Sequence, residues 1–278
     1  MSGPTSILSG RNGWKRWRTV GLNLAGASAL LFALTFLPPD NSLADVQKSG
    51  VLRVCVPESM PPLVTNETSA PGYDLAMLDL IAKDLGVRLA INRNAAIGAD
   101  FNPRNWRLTR AQCQIIAGGV VDNAATRGFL ELLPTGLKTG WAVASANDML
   151  SQGGGVLGVF PGPTALDRLA LSRYLRAKNI RVLSASSVSH LEEMLKSGEV
   201  DGIISDRLTL SAMDLQDVEI EWVSETELGV FDLAFGLWKG DATLLRAVRK
   251  SEENLVQTGL AEMLARQYDT DMDAKTGP

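Results

Sequence analysis

At 278 residues the chain is long enough for one large domain or two smaller ones, and its apolar fraction of 45% is ordinary for a packed globular protein. Its 27 basic and 31 acidic residues leave a formal net charge of −4, which disfavours nucleic acid and anionic membrane surfaces as partners. Two cysteines and a single histidine fall short of a usual zinc set.

Lys15, Arg16 and Arg18 precede an uncharged run from Thr19 to Leu37, Pro38 and Pro39 break it, and Ser42-Leu43-Ala44 offers small residues where an export peptidase reads. Residues 1–44 therefore read as an export signal. The run 19–37 is long enough to span a bilayer if uncut, so a retained anchor is the alternative, and would be the only membrane attachment. Either way the remainder lies outside the cytosol. Without residues 1–44 the chain keeps 23 basic and 30 acidic residues, a net charge near −7.

Val51, Leu52, Val54 and Val56 form an apolar run between Gly50 and Pro57, which suits a strand buried in a parallel sheet. After a Pro- and Gly-punctuated loop, Leu78, Ile81 and Leu85 repeat at helical spacing up to the stop at Gly86, and residues 87–92 read as the next strand. Residues 113–121 form another apolar strand containing two glycines. Gly153, Gly154 and Gly155 open a second unit that restarts the order of strand, Gly-rich turn, helix and strand. Helix is predicted at 187–198, strand at 200–205, helix from Asp206 to Leu215, strand at 231–238, and helices at 242–257 and 260–268.

Cys55 and Cys113 make an even count in an exported chain, and each sits in or beside a predicted core strand. A disulfide between them is expected, with two buried thiols as the alternative. His190 lies near the start of a predicted helix among acidic residues and reads as solvated, which leaves no partner for Ser-His or Cys-His nucleophilic chemistry. No Gly-x-Ser-x-Gly, His-Glu-x-x-His or P-loop spacing is present, and no cofactor or metal is expected.

The strand at 51–56, its Pro-containing loop and the helix head Gly72-Tyr73-Asp74-Leu75 resemble the opening of family 3 extracellular solute-binding proteins, although Ala76 stands where that family usually has a second acid. The resemblance runs from about residue 48 to 270. It implies a two-lobe α/β fold of the periplasmic-binding-protein type II kind, each lobe a mixed sheet flanked by helices. Two hinge crossings would divide lobe I, 45–143 plus 231–278, from lobe II, 144–230. It also implies a periplasmic protein that closes on a small polar ligand, an amino acid or organic acid, for an ABC-type membrane permease.

Carried over residue by residue, the resemblance places the carboxylate-holding arginine at Arg127, the ammonium-pairing acid at Asp206 and the turn that meets the carboxylate at Thr164. The family's Gly, apolar residue, Ser or Thr and Thr-Pro-Glu-Arg are here Gly119-Val120-Val121-Asp122-Asn123-Ala124-Ala125-Thr126-Arg127. This is two residues longer, with Asp122 or Asn123 in place of the usual hydroxyl. Pro163 likewise replaces a Ser beside Thr164 and removes a donor. Tyr73, Phe101, Trp106 and Trp141 are the candidate aromatic walls.

From the residues alone, Thr164 and Asp167 are also spaced as a capping box, Asp206 can equally cap the helix that follows it, and Arg127 can be a plain surface residue. Two other functions remain. One is a periplasmic enzyme of the same fold, similar to cyclohexadienyl dehydratases, with Glu58 or Asp74 as its acid. The other is an accessory binding protein beside a quinoprotein dehydrogenase, whose cysteine placement Cys55 and Cys113 resemble.

Overall fold

The computed structural model describes residues 11–34, 39–97, 102–145, 149–161, 166–215, 218–268 and 270. The chain forms two compact units, Met1–Asp40 and Asn41–Pro278. The first contains helix α1 (Arg11–Leu34), which holds the basic cluster and most of the uncharged run. No helix among the described residues is long and apolar enough to cross a membrane. The end of the uncharged run, residues 35–37, lies outside the described residues.

The second unit begins with α2 (Ser42–Ser49), β1 (Val51–Val56), α3 (Tyr73–Asp84), β2 (Arg88–Arg93), a 3-10 turn (Pro103–Trp106), β3 (Ile115–Val121) and α4 (Ala124–Phe129). The 16-residue strand β4 (Leu130–Ser145) follows. Next come α5 (Met149–Gln152), β5 (Val156–Val159), α6 (Arg168–Ala177), β6 (Arg181–Ser184), α7 (Val188–Lys196), β7 (Gly202–Asp206), α8 (Arg207–Ser211), β8 (Ile220–Trp222) and α9 (Glu225–Leu228). The chain closes with β9 (Val230–Trp238), α10 (Ala242–Gln257) and α11 (Leu260–Gln267). The predicted strands and closing helices are present. The helix expected from Asp206 to Leu215 is only the five residues of α8.

These strands join in the order β2-β1-β3-β9-β4-β7-β5-β6, with β8 on β4. β1 runs parallel to β2 and β3, and β5 runs parallel to β6 and β7, while β9 and β4 are antiparallel to their neighbours. The mixed sheet and its flanking helices are the α/β architecture expected.

β4 and β9 tie the sheet's two halves together. β4 pairs with β9 from Leu130↔Trp238 to Gly140↔Val230, and then with β7 from Trp141↔Asp206 onward. The period-two alternation of strand side chains gives each half a core on both faces. Leu52, Val54, Val56, Ile115 and Ala117 face the helices α3, α10 and α11 on one side of the first half, and Cys55, Ile116 and Val120 pack with Trp106 on the other. In the second half, Trp141 and Val143 join one cluster while Ala142 and Ala144 join another. Each buried aliphatic side chain contributes about 1.5–3 kcal/mol relative to exposure.

Cys55 and Cys113 are bonded, with Cα atoms 5.6 Å apart and both residues fully buried, so the staple joins β1 to the start of β3. Trp106 packs in the same cluster, and Trp238 Nε1 donates to Cys113 O at 2.8 Å.

Candidate functional site

The carboxyl ends of β3 and β7 lie beside the β4/β9 crossing, β3 against β9 at Val121↔Leu233 and β7 against β4 at Trp141↔Asp206. In open parallel arrangements such ends are where ligands settle, because helix N-termini and loops gather there. Asp122, just past β3, donates its N–H to Asp232 O at 2.8 Å, and Asp232 lies opposite Lys138 in the β4–β9 ladder. Three residues further along β4, roughly 10 Å of strand, Trp141 lies opposite Asp206. Phe160, following β5, donates its N–H to Ile204 O at 3.0 Å and accepts from Ser205 Oγ at 2.8 Å, so the end of β5 lies at the same level as the end of β7. Residues predicted from two distant stretches of sequence are thereby drawn to one crossing.

The segment carrying Arg127 is built by an N-terminal cap. Asn123 Oδ1 accepts from the N–H groups of Ala125 and Thr126 at 2.8 and 3.0 Å. Fully buried Thr126 returns the contact, its Oγ1 accepting from Asn123 N–H at 3.0 Å and donating to Val121 O at 2.6 Å. This places Arg127 back over Asp122. Nε donates to Oδ1 and Nη2 to Oδ2, the latter at 2.8 Å, in a two-pronged pair. The arginine side chain is 69% exposed and the carboxylate only 9%. The hydrogen bond to Asp122 first, then its charge and that of Asp232, hold the guanidinium above its ordinary pKa.

Asp206 is buried, and both of its oxygens cap α8: Thr209 N–H donates to Oδ1 at 3.1 Å and Thr209 Oγ1 to Oδ2 at 2.5 Å. Burial pushes the carboxyl pKa up and the Thr209 bonds draw it back. Capping, one of the two roles open to Asp206 from sequence, is the one with a visible partner.

The glycines of β3 are required by close approach. Gly118 has φ +84°, and a Cβ there would fall 2.4 Å from Pro57 Cδ, while Gly119 has φ +90° and lies beside Met60 and Leu63. The pairing of β3 with β9 shifts register between Ile116 and Val120, the bulge these backbones make. Gly118 N–H donates to Asp74 Oδ2 at 2.8 Å, while the second oxygen of Asp74 is buried without a hydrogen-bond partner. Burial drives the Asp74 pKa up to about 7 despite the N–H groups of Gly118 and Gly119. Asp74 is thus an interior clasp between α3 and β3, whereas Glu58 is exposed.

Three of the four candidate aromatic walls are buried in the core, the alternative open to each from sequence. Tyr73, Trp106 and Trp141 are 0, 2 and 2% exposed, their rings committed to core clusters, and Trp141 Nε1 donates to Asp167 O at 3.3 Å. Their apolar area is better satisfied inside than at an opening. Phe101 and Thr164 lie outside the described residues. The helix expected to start at Thr164 begins at Arg168, where Asp167 itself is the cap, its Oδ1 accepting from Leu169 and Ala170 N–H at 2.9 Å each. His190 sits at the start of α7, with Nδ1 accepting from Ser186 N–H at 3.2 Å.

Sequence reasoning passed over Asp232, Lys138, Arg207 and Trp222. The Arg207 guanidinium lies 4.6 Å from the Trp222 ring centroid. Trp222 packs over Gly140, where an added Cβ would fall 3.1 Å from the ring. The one available signal was Asp232, an acid interrupting an otherwise apolar strand. Among the described residues no cluster of histidine, cysteine or acid side chains could hold a metal ion.

Neither protein families nor curated protein sequences yield a match to this chain. Solved structures do share its fold. An ancestral cationic amino acid solute-binding protein superposes with a TM-score of 0.67 at 16% identity, covering 82% of this chain and 99% of the other. A substrate-binding protein of an ABC uptake transporter from Streptococcus pneumoniae, with bound histidine, gives 0.61 at 16% identity, covering 85% and 99%. An ancestral amino acid-binding protein described as a precursor of cyclohexadienyl dehydratase gives 0.57 at 18% identity, covering 82% and 98%.

Proposed function

We propose that residues 45–278 form an exported solute-binding protein that closes two lobes on a small polar molecule. Lobe I would be 45–143 with 231–278, and lobe II 144–230. The observation that carries this reading is the approach of the β3 and β7 ends to the β4/β9 crossing, where the Asp122–Arg127 pair and Asp206 come from opposite sheet halves. A solute touching both halves stabilises the closed arrangement by its differential affinity for it. Solved structures of this fold that bind amino acids support a ligand of that size, and a permease of an ABC importer is the partner that would sense closure. The buried disulfide supports an oxidising compartment such as the periplasm.

The test is a thermal-shift screen of the secreted form against amino acids, organic acids, amines and small alcohol-oxidation products. A ligand that binds only the native state raises the melting temperature. A shift with one class is the expected result, and no shift across all four rejects the reading.

A dehydratase of the same fold is the second reading, favoured by Asp74, a carboxyl with a pKa of about 7, and by the neighbour described as a dehydratase precursor. Turnover of prephenate or arogenate by the purified protein would establish it. Asp74 is sealed in the core, which makes it a poor acid for a substrate.

A further inference from the structure

We propose that Asp122 is a specificity determinant of this site, a built-in carboxylate on Arg127 that turns the cleft away from amino acids and toward small amines. The inference rests on the solute-binding reading above.

Arginine recognises a carboxylate with two parallel N–H donors. Here Nε and Nη2, one of its two such edges, are already engaged by Asp122. For a solute carboxylate to take that edge, Asp122 must let go, and it has nowhere to go. Its N–H is fixed to Asp232 O, the next residue caps α4 through both Ala125 and Thr126, and its carboxylate is 9% exposed. Letting go gives up both charge-assisted bonds at once, although the pair is partly screened because the arginine side chain is 69% exposed.

The surrounding charges point the same way. Asp232, whose carbonyl holds the Asp122 N–H, adds a second negative charge that favours the charged guanidinium. Lys138, the cross-strand neighbour of Asp232, brings the local sum only to neutrality. An entering carboxylate therefore meets a guanidinium edge already filled by Asp122 and no net positive charge around it. A primary amine brings no such penalty, and Asp206 adds a further acid on the opposite side of the crossing.

The experiment uses two matched probe pairs, L-arginine with agmatine and L-histidine with histamine. Each is titrated calorimetrically into the wild type and into Asp122→Asn and Asp122→Ser. In parallel, the Arg127 Nε–H resonance is followed by NMR during titration with sodium acetate at constant ionic strength. The expected result is that the wild type holds the amine of a pair more tightly and that its Nε–H signal ignores acetate. In the variants the preference moves toward the amino acid by roughly tenfold or more, the scale of one charge-assisted hydrogen bond, and the Nε–H signal follows acetate saturably.

A wild type that prefers the amino acids, or whose Nε–H signal follows acetate, overturns the proposal. If no probe binds the wild type, the acetate titration alone decides the state of Arg127, while the broader thermal screen decides the solute-binding reading. If neither variant folds, the wild-type measurements still decide it.

Discussion

Trp141 and Asp206 stand directly opposite each other at the first β4–β7 pairing, one residue after β4 leaves β9. The second half of the sheet thus begins with a buried aromatic backed by a buried acid, both anchored to helix starts. Trp141 bonds to the carbonyl of the α6 cap Asp167, and Asp206 caps α8. Asp206→Ala should cost about 1–2 kcal/mol by loss of the cap. Asp206→Ser, which keeps a cap oxygen, should stay near the wild type in urea unfolding. If Asp206 also meets the solute, the Ser variant will bind at least about tenfold more weakly at unchanged stability; equal affinity would reduce the residue to its capping role.

Asp74 makes stability depend on pH in a definite direction. Its folded pKa of about 7 lies above the ordinary 3.8, so the native state binds its proton more tightly than the unfolded chain. The contribution is complete below about pH 4, falls as pH rises toward 7, and is flat above. Urea midpoints measured from pH 4 to 9 should show this decline after other groups are accounted for. Asp74→Asn should flatten it, and an unchanged slope would place the titration elsewhere.

Gly118→Ala should destabilise by about 2–3 kcal/mol or more. The positive φ is strained for any side chain, and the methyl would overlap the Pro57 ring. At Gly259, also at positive φ (+75°) but with open space around it, alanine brings only the backbone cost, about 1 kcal/mol. Comparing the two in one denaturation series separates overlap from backbone strain, and equal losses would contradict the close approach to Pro57.

The bond between Cys55 and Cys113 spans 58 residues, for which the chain-entropy account gives about 4 kcal/mol. Cys55→Ala with Cys113→Ala should lose about 3–4 kcal/mol, read by guanidinium unfolding of the oxidised wild type against the double variant. Because both sulfurs are buried, mild reductant applied to the folded protein should leave the bond intact. Rapid reduction without unfolding would count against that burial.

Local patterns carried far in this chain. β1, β3 and β9 announced themselves as apolar runs because strands between neighbours bury both faces. The closing helices were marked by periodicity and by Gly259 between them. What escaped was what depends on partners distant in sequence. The side chain of Arg127 was legible as a candidate, but its pairing to Asp122 is created by the capping of α4, and Asn123 can cap only once the two extra residues of that segment are folded. Tyr73, Trp106 and Trp141 read as either pocket walls or core residues, because aromatic residue type says nothing of which face a ring turns to. The α6 start moved because Asp167 is a good cap in its own right.

Since β4 pairs with β9 along its first part and with β7 from Trp141 onward, a single strand is shared by the two halves of the sheet. Gly140 stands at that changeover under close packing, with the Gly229 carbonyl 3.0 Å and the Trp222 ring 3.1 Å from where a Cβ would lie. If the two sides close about that strand, as the proposed function requires, a docking protein touching only the outer helices would read occupancy as a change in their mutual orientation, without contacting whatever lies between them.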